Sequence, residues 1–464
     1  MKNQKTADQS KPLIYDYILF IMMLTFDDVL HKRYMNFKIY IMKKLKFTLV
    51  AIVLILASCD KYGDYPVIKD KDSISFKLVD VSKGFLEVPL TPTLRWEKAF
   101  DCGFCRVTYE IYLGTEKRPQ TLLASGVTEN KFKIQSPLSA NVKYHWWVLA
   151  RDNHGNIKIS EFGSFTTRGL HYNSVTSDGA FSKRADHTTI VFDDKLWVIS
   201  GYEGHYYETD AWYSSDGANW SAATTSTPFY GRSGHATVVF DNKMWVIGGY
   251  IGGENSNDIW YSSDGVNWTE AIEPPFSGRV NHTAAVYDNK IWVIGGHGNS
   301  AVGGELNDVW YTTDGISWVE AASGASFEAR SGHTTVVHDD KLWVIGGRKS
   351  GTGSTGLMND VWFTTDGAHW SAASPSAAFS KRQGHTTVVH NNKIWVIGGK
   401  SASALENDIW SSVNGITWTR ATSSAPFSTR HGHSSAIFDS KIWVIGGQQS
   451  NSILDRVNDV WTIE

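Results

Sequence analysis

The C-terminal two-thirds of the chain repeats one pattern of short apolar runs cut by turn residues. Its clearest copy is Arg232 to Trp268, RSGHATVVFDNKMWVIGGYIGGENSNDIWYSSDGVNW. HATVVF is a β-branched run that stops at Asp241-Asn242, which predicts a short strand and a tight turn. KMWVIGG predicts a second strand, closed by a glycine pair that accepts positive φ or lets another backbone come close. DIWYSS predicts a third strand, and Asp264-Gly265 is a tight-turn dipeptide ahead of a fourth that carries Trp268. The opening histidine returns as His187, His235, His282, His333, His385 and His433, at intervals of 48, 47, 51, 52 and 48 residues. A fixed period of about 49 residues marks a repeat architecture and outranks any local reading. Four antiparallel strands with both faces apolar do not stand alone in water. Copies must pack on either side, as blades around an axis.

The glycine pairs Gly248-Gly249, Gly295-Gly296, Gly346-Gly347, Gly398-Gly399 and Gly446-Gly447, with the preceding aromatic and the later Trp, resemble the kelch repeat. The first copy departs from it with Ser200-Gly201. The resemblance covers roughly residues 169 to 464 in six copies and implies an all-β fold, a six-bladed kelch-type β-propeller. Gly169 to His187 aligns without a gap on Gly217 to His235: Tyr172 matches Trp220, Phe181 matches Phe229 and Arg184 matches Arg232. The last copy ends at DVWTIE, after its third strand. Residues near 170–176 are therefore expected to supply the strand that the final blade lacks.

Ahead of the repeats, residues 73–168 alternate or cluster apolar residues between turn signals. SISFKLVDV, TLRWE, VTYEIYLG, KFKIQ, KYHWWVLARD and the stretch ending FGSFTT suggest about seven strands of a small β-sandwich. Pro92, Leu94 and Trp96, the YEIYLG strand, and the run Tyr144, Trp146, Val148, Ala150, Asp152 resemble a fibronectin type III domain. Cys102 and Cys105 form C-x-x-C within this module. No helix pattern follows for a redox motif, and no further ligands suit zinc. A local disulfide and a pair of free thiols both remain open.

Further upstream, MKKLKFTLVAIVLILASCD begins at Met42 with a basic start (Lys43, Lys44, Lys46) and an apolar run from Phe47 to Leu56. Its end, Leu56-Ala57-Ser58-Cys59, resembles a bacterial lipobox, which implies that Cys59 is lipidated and becomes the first mature residue. The apolar stretch around Asp16 is short for a span, so residues 1–58 read as upstream segment and signal peptide, with translation starting at Met42 or Met35. Residues 59–72 read as a tether. The expected location is the cell envelope, on a lipid anchor at Cys59.

A net charge of −3 gives no electrostatic reason to expect a nucleic-acid partner. The 20 Trp invite a carbohydrate-platform reading, but 17 recur in register: six in second strands, six in third and five in fourth. Only Trp96, Trp146 and Trp147 lie elsewhere, so blade packing accounts for the number.

The strand order puts the two short turns of each blade on one face, and the loops after the glycine pairs on the other with the links between blades. From the last Gly to the third-strand Trp the six copies take 11, 11, 14, 15, 11 and 14 residues. Length variation on one face is where repeat proteins place function. The repeats also act as an internal control. The six His, the Arg before each (Arg184, Arg232, Arg279, Arg330, Arg382, Arg430) and the Asp before each third-strand Trp are common to all blades, as building elements would be. Blade-specific positions are the better candidates. After the glycine pairs stand Tyr202, Tyr250, His297, Arg348 (followed by Lys349), Lys400 and Gln448. After the repeated Arg stand Asp186, Asn281, Gln383 and His431, and the first loop adds His205, Tyr206 and Tyr207. Aromatics opposite the cations Arg348, Lys349 and Lys400 suit a glycan with an acidic group; a solvated rim without ligand fits the same residues.

Galactose oxidase chemistry needs a Cys cross-linked to a Tyr, and no Cys follows Cys105. The S-x-D-G-x-x-W turns are similar to the sialidase Asp-box but one residue shorter, and no arginine triad stands apart from the repeated Arg. No metal or cofactor motif is evident. The expectation is a lipoprotein whose propeller binds a glycan or protein on the variable-loop face. The alternative is a propeller enzyme such as a sialic-acid or sugar mutarotase, whose family shares this architecture.

Overall fold

The turn dipeptides act as the sequence requires. Asp-Asp, Asp-Asn and Asn-Asn pairs between first and second strands all take positive φ, as at Asp241 (48°) and Asn242 (54°), which these residues tolerate. A computed structural model describes residues 74–82, 88–99, 106–350, 353–452 and 454–464. The lipobox with Cys59, the tether, and Cys102 and Cys105 lie outside the described residues.

Six antiparallel sheets follow one another along the repeats, each numbered here as a blade; four have four strands, and two gain a fifth of two residues, Arg279–Val280 and Arg382–Gln383. Their innermost strands are Thr188–Phe192, Ala236–Phe240, Thr283–Tyr287, Thr334–His338, Thr386–His390 and Ser434–Phe438. Each innermost strand packs against the next, and Ser434–Phe438 packs against Thr188–Phe192, so the six blades form a closed ring. Among the described residues no sheet closes on itself. The ring is held by packing between sheets. Blade six consists of Ser434–Phe438, Lys441–Gln448, Arg456–Ile463 and, as its outer strand, Tyr172–Thr176. Tyr172 pairs with Ile463 and Ser174 with Trp461, while His171 and Glu464 exchange backbone hydrogen bonds of 2.9 Å. The segment around Tyr172 thus completes the final blade.

Every seam between blades holds one apolar cluster. Between blades two and three it contains Trp245, Ile247, Phe276, Ile291 and Trp318, all buried. The second-strand Trp explains the glycine of the D-G turns. A Cβ on Gly315 would lie 2.1 Å from the Trp245 ring, and the residue also holds φ 75°. The tryptophans are packing residues, as their register implies. Those assigned to fourth strands differ in detail: Trp220, Trp268, Trp370 and Trp418 each stand just before the strand, and Trp318 opens it.

Ahead of the ring, one sheet runs in the order Ile74–Phe76, Ile157–Ser160, Lys143–Asp152, Val107–Gly114, Leu122–Val127, with Gly163–Thr166 also paired to Lys143–Asp152. A second has Leu78–Val79, Thr93–Trp96 and Lys131–Lys133. They share a core of Phe76, Leu94, Trp96, Tyr109, Ile111, Trp146, Val148 and Phe165. Two of these strands lack an alternating signal: Leu122–Val127 has no buried residue and Ile157–Ser160 spans only four residues. Residues Ile74–Glu464 form one compact unit.

Candidate functional site

The residues common to all blades are locked into the framework. Each repeated Arg has no solvent exposure. Arg330 Nη1 donates to Gly346 O and to Asp360 Oδ1, Nη2 to Asp360 Oδ2, all at 2.8 Å, and Nε to Glu328 O at 3.0 Å. Asp360 also accepts from Trp362 Nε1 at 2.7 Å, and the Phe327 ring lies 5.3 Å from the guanidinium. The same pattern joins Arg184 to Asp210, Arg232 to Asp258, Arg279 to Asp308, Arg382 to Asp408 and Arg430 to Asp459. With its donors and acceptors spent, this knot ties first, second and third strands together.

The six histidines are also internal. In five seams Nε2 meets a hydroxyl of the preceding blade at 2.8–3.1 Å, as His235 meets Thr188 and His187 meets Ser434. Burial, then Arg184, Arg279 and Arg382, hold His187, His282 and His385 down to about 3, so they are neutral at pH 7. Neighbouring hydroxyls bond to each other as well, Thr283 to Thr335 and Thr386 to Ser435. One seam differs. Ala236 stands where the other blades carry the hydroxyl, leaving His282 Nε2 without one, and Ala284 replaces the second hydroxyl across the same seam.

Above the histidines the backbone closes a ring that sequence reasoning did not foresee. Asp186, Gly234, Asn281, Gly332, Gly384 and Gly432 all lie at φ between 53° and 60°. Asp186 N donates to Gly432 O, Gly432 to Gly384, Gly384 to Gly332, Gly332 to Asn281, Asn281 to Gly234 and Gly234 to Asp186, at 2.7–3.0 Å. Six hydrogen bonds thus encircle the axis at the start of the inner strands. Ring, histidines and hydroxyls line an axial cavity of about 270 Å³. Only Asp186 and Asn281 bring side chains to the ring. Each lies across a neighbouring glycine: a Cβ on Gly432 would sit 2.5 Å from Asp186 Oδ1, and one on Gly234 2.5 Å from Asn281 Oδ1. The grouping of Asp186 and Asn281 with Gln383 and His431 is thereby corrected. The first two are ring members two residues after the repeated Arg; the second two stand one residue after it.

That adjacent position pairs across the sheet with the residue after the glycine pair. The pairs are Ala185–Tyr202, Ser233–Tyr250, Val280–His297, Ser331–Arg348, Gln383–Lys400 and His431–Gln448. Gln383 and His431 are therefore cross-strand partners of Lys400 and Gln448 on the variable-loop face, and Asp186 and Asn281 are not part of that set. A third blade-specific position joins them, three residues before the repeated Asp: Tyr207, Asn255, Glu305, Leu357, Leu405 and Arg456, each bridged to the residue after the glycine pair. Counting back from the repeated Asp would have found it.

On blades one and two the Tyr202 and Tyr207 rings stack at 4.7 Å and 25°, and Tyr250 meets Tyr207 edge-on at 5.5 Å. Arg456, only 5% exposed, lies 4.6 Å over Tyr202. Its Nε and Nη1 are buried with no hydrogen-bond partner among the described residues. Burial pushes the Asp186 carboxyl up to about 6, against the pull of Arg456. Burial, then Lys400 and Arg456, hold His431 down to about 4. A separate cleft of about 400 Å³ between blades two and three is lined by Tyr250, Asn255, Asn299 and His297.

The cation side is less available than its sequence suggests. Arg348 Nε lies 3.9 Å and His297 Nδ1 3.7 Å from Glu305 Oε1, and Ser350 bonds the other oxygen of that buried carboxylate. Lys349 is 4.0 Å from Glu328, and Lys400 donates to Asn451 at 2.9 Å. Gln448 is buried and donates to Ser450 O and Ser452 O, so it holds its own loop. His205 and Tyr206 are exposed at a loop tip pinned by Glu203, which accepts both backbone N–H groups.

Comparison with known proteins agrees with this geometry. Residues 151–311, 186–378 and 281–464 match the KLHDC2/KLHL20/DRC7 Kelch-repeats domain. A solved structure titled "Structure of YjhT" is similar with a TM-score of 0.52 and 17% identity, over 63% of this chain and 100% of that one. No curated protein matches the sequence.

Proposed function

Because the chain belongs to the kelch-repeat family, we propose that its propeller is a binding module for a glycan or protein, held at the cell envelope by a lipid anchor on Cys59. The observation that carries this reading is a division of labour. The repeated Arg–Asp pairs are consumed by the framework and the repeated histidines line the axial cavity, while blade-specific residues gather on the variable-loop face, where Arg456 Nε and Nη1 are buried without a partner among the described residues. Ahead of the ring stands the two-sheet module, read as a fibronectin type III-like spacer between anchor and propeller. The test is a glycan-array and protein-capture screen with the full chain, repeated with Tyr202→Ala/Tyr250→Ala. Binding that survives this double change would place the site off that face.

A second reading, a carbohydrate enzyme such as a sugar mutarotase, is favoured by one feature. Asp186, raised to about 6, is poised to take and return a proton near neutral pH. Faster anomer exchange of a free sugar by NMR, lost in Asp186→Asn, would select it.

A further inference from the structure

We propose that the centre of the variable-loop face takes a neutral sugar residue, with two of its hydroxyls bridging Asp186 and Arg456 and its ring against the tyrosines of blades one and two. This rests on the reading of that face as the binding face and names the ligand class within it.

The blade does not need Arg456. Two other blades place leucine at the same position, Leu357 and Leu405, in the same bridge. A guanidinium is kept there instead, 5% exposed, stacked on Tyr202 and with two donors unmatched. Nor does the ring need Asp186. Four of its six members are glycine, the residue suited to φ near 60°, and an aspartate there holds a carboxylate over Gly432 of the same blade as Arg456. No ion pair of 4.0 Å or less joins the two among the described residues. One group lacks acceptors and the other lacks donors. A hydroxyl is both, so adjacent hydroxyls of one sugar ring donate to Asp186 and accept from Arg456.

The surroundings fit the rest of a sugar ring. Tyr202, Tyr207 and Tyr250 offer apolar faces edged by polar groups. Of the axial-ring glycines, Gly384 leaves its backbone open to close approach, whereas Gly432 and Gly234 lie under Asp186 and Asn281. Charge then decides against an acidic ligand. Arg456 is offset by Asp186 and Glu203, Lys400 donates to Asn451, His431 is neutral, and across the axis Arg348 is offset by Glu305. A carboxylate that approached Arg456 would meet the Asp186 carboxylate beside it.

Calorimetric titration of the full chain tests this with neutral hexasaccharides of glucose, xylose and mannose, and with oligogalacturonate as the acidic probe. Asp186→Gly and Arg456→Leu are the variants, because other blades carry those residues at those positions, and melting curves verify folding. The expected result is that a neutral hexasaccharide binds and that each variant weakens it about tenfold or more. Oligogalacturonate binding that tightens in Asp186→Gly would overturn the neutral class and leave the face as the binding site. Neutral-sugar binding unchanged in both variants but lost in Tyr202→Ala/Tyr250→Ala would overturn the bridge alone. Failure of every oligosaccharide, with a captured protein released by that same tyrosine change, would overturn the sugar and keep the face.

Discussion

Replacing Arg330 by Met separates framework from function. The methionine keeps most of the apolar stem beside Phe327 but removes four hydrogen bonds of 2.8–3.0 Å. Asp360, with 15% side-chain exposure, is left with Trp362 Nε1 and no counter-charge from Arg330. Breaking a buried pair from one side costs about 3–5 kcal/mol, because the remaining charge stays desolvated. At about 2 °C per kcal/mol for a domain of this size, the melting temperature should fall by about 6–10 °C. The pH dependence carries a sign. Burial raises the Asp360 carboxyl, yet Arg330 outweighs it and the net folded value is lowered. In the wild type this contribution is full above the ordinary carboxylate pKa of about 3.9 and fades as pH falls through the lowered folded value. In Arg330→Met, Asp360 is instead raised by its burial, so the deficit is largest near neutral pH and narrows as acid protonates it. The assay is circular-dichroism melting at about pH 7.5 and pH 5, with the exposed Lys349→Ala expected within about 0.5 kcal/mol of wild type. A variant that melts like wild type, but no longer binds a ligand of the propeller, would refute the framework role and make the repeated arginines functional.

Three further outcomes are expected. Cys59→Ala should move the protein from the detergent phase to the aqueous phase on fractionation; unchanged partitioning would remove the lipid anchor. A chain starting at Asp178 lacks the outer strand Tyr172–Thr176 and should melt far below one starting at Gly169, since losing large core side chains costs about 3–5 kcal/mol each; equal melting would mean that the ring closes without that strand. Ala236→Thr should restore the missing partner of His282 and raise stability by about 0.5–1.5 kcal/mol, whereas a lower melting temperature would show that this seam has no room for a hydroxyl.

The ring was legible because its determinants are local and repeated. Turn dipeptides, glycine pairs and β-branched runs each act within a few residues, and six copies average out the ambiguity of any one. Even the long-range pairing of Tyr172 with Ile463 could be read, since the segment keeps the register of the strand it replaces. The weak points were stretches without periodicity. Leu122–Val127 has no buried residue, so no apolar alternation announces it. Arg279–Val280 and Arg382–Gln383 extend their sheets by only two residues each, too short to leave a pattern.

The layout of the variable-loop face was legible in outline and misread in register, for a physical reason. Loops of unequal length separate the glycine pair from the third strand, so counting forward loses Arg456, which sits in a polar stretch that looks like loop; counting back from the repeated Asp recovers it. The axial ring was hidden because five of its hydrogen bonds join residues about 50 positions apart and the sixth joins Asp186 to Gly432, and no local signal records them. Its sequence trace lies instead in paired departures from the repeat. Asp186 lies over a glycine, as does Asn281, and the missing hydroxyl at Ala236 faces a second one at Ala284. A lone departure in a repeat is tolerated drift, but departures that fit one another across a seam satisfy a joint constraint. For Ala236 and Ala284 that constraint is packing alone. Around Asp186 it also includes a buried guanidinium with unspent donors, which packing does not supply, and the centre of the variable-loop face is therefore where a ligand has to be sought.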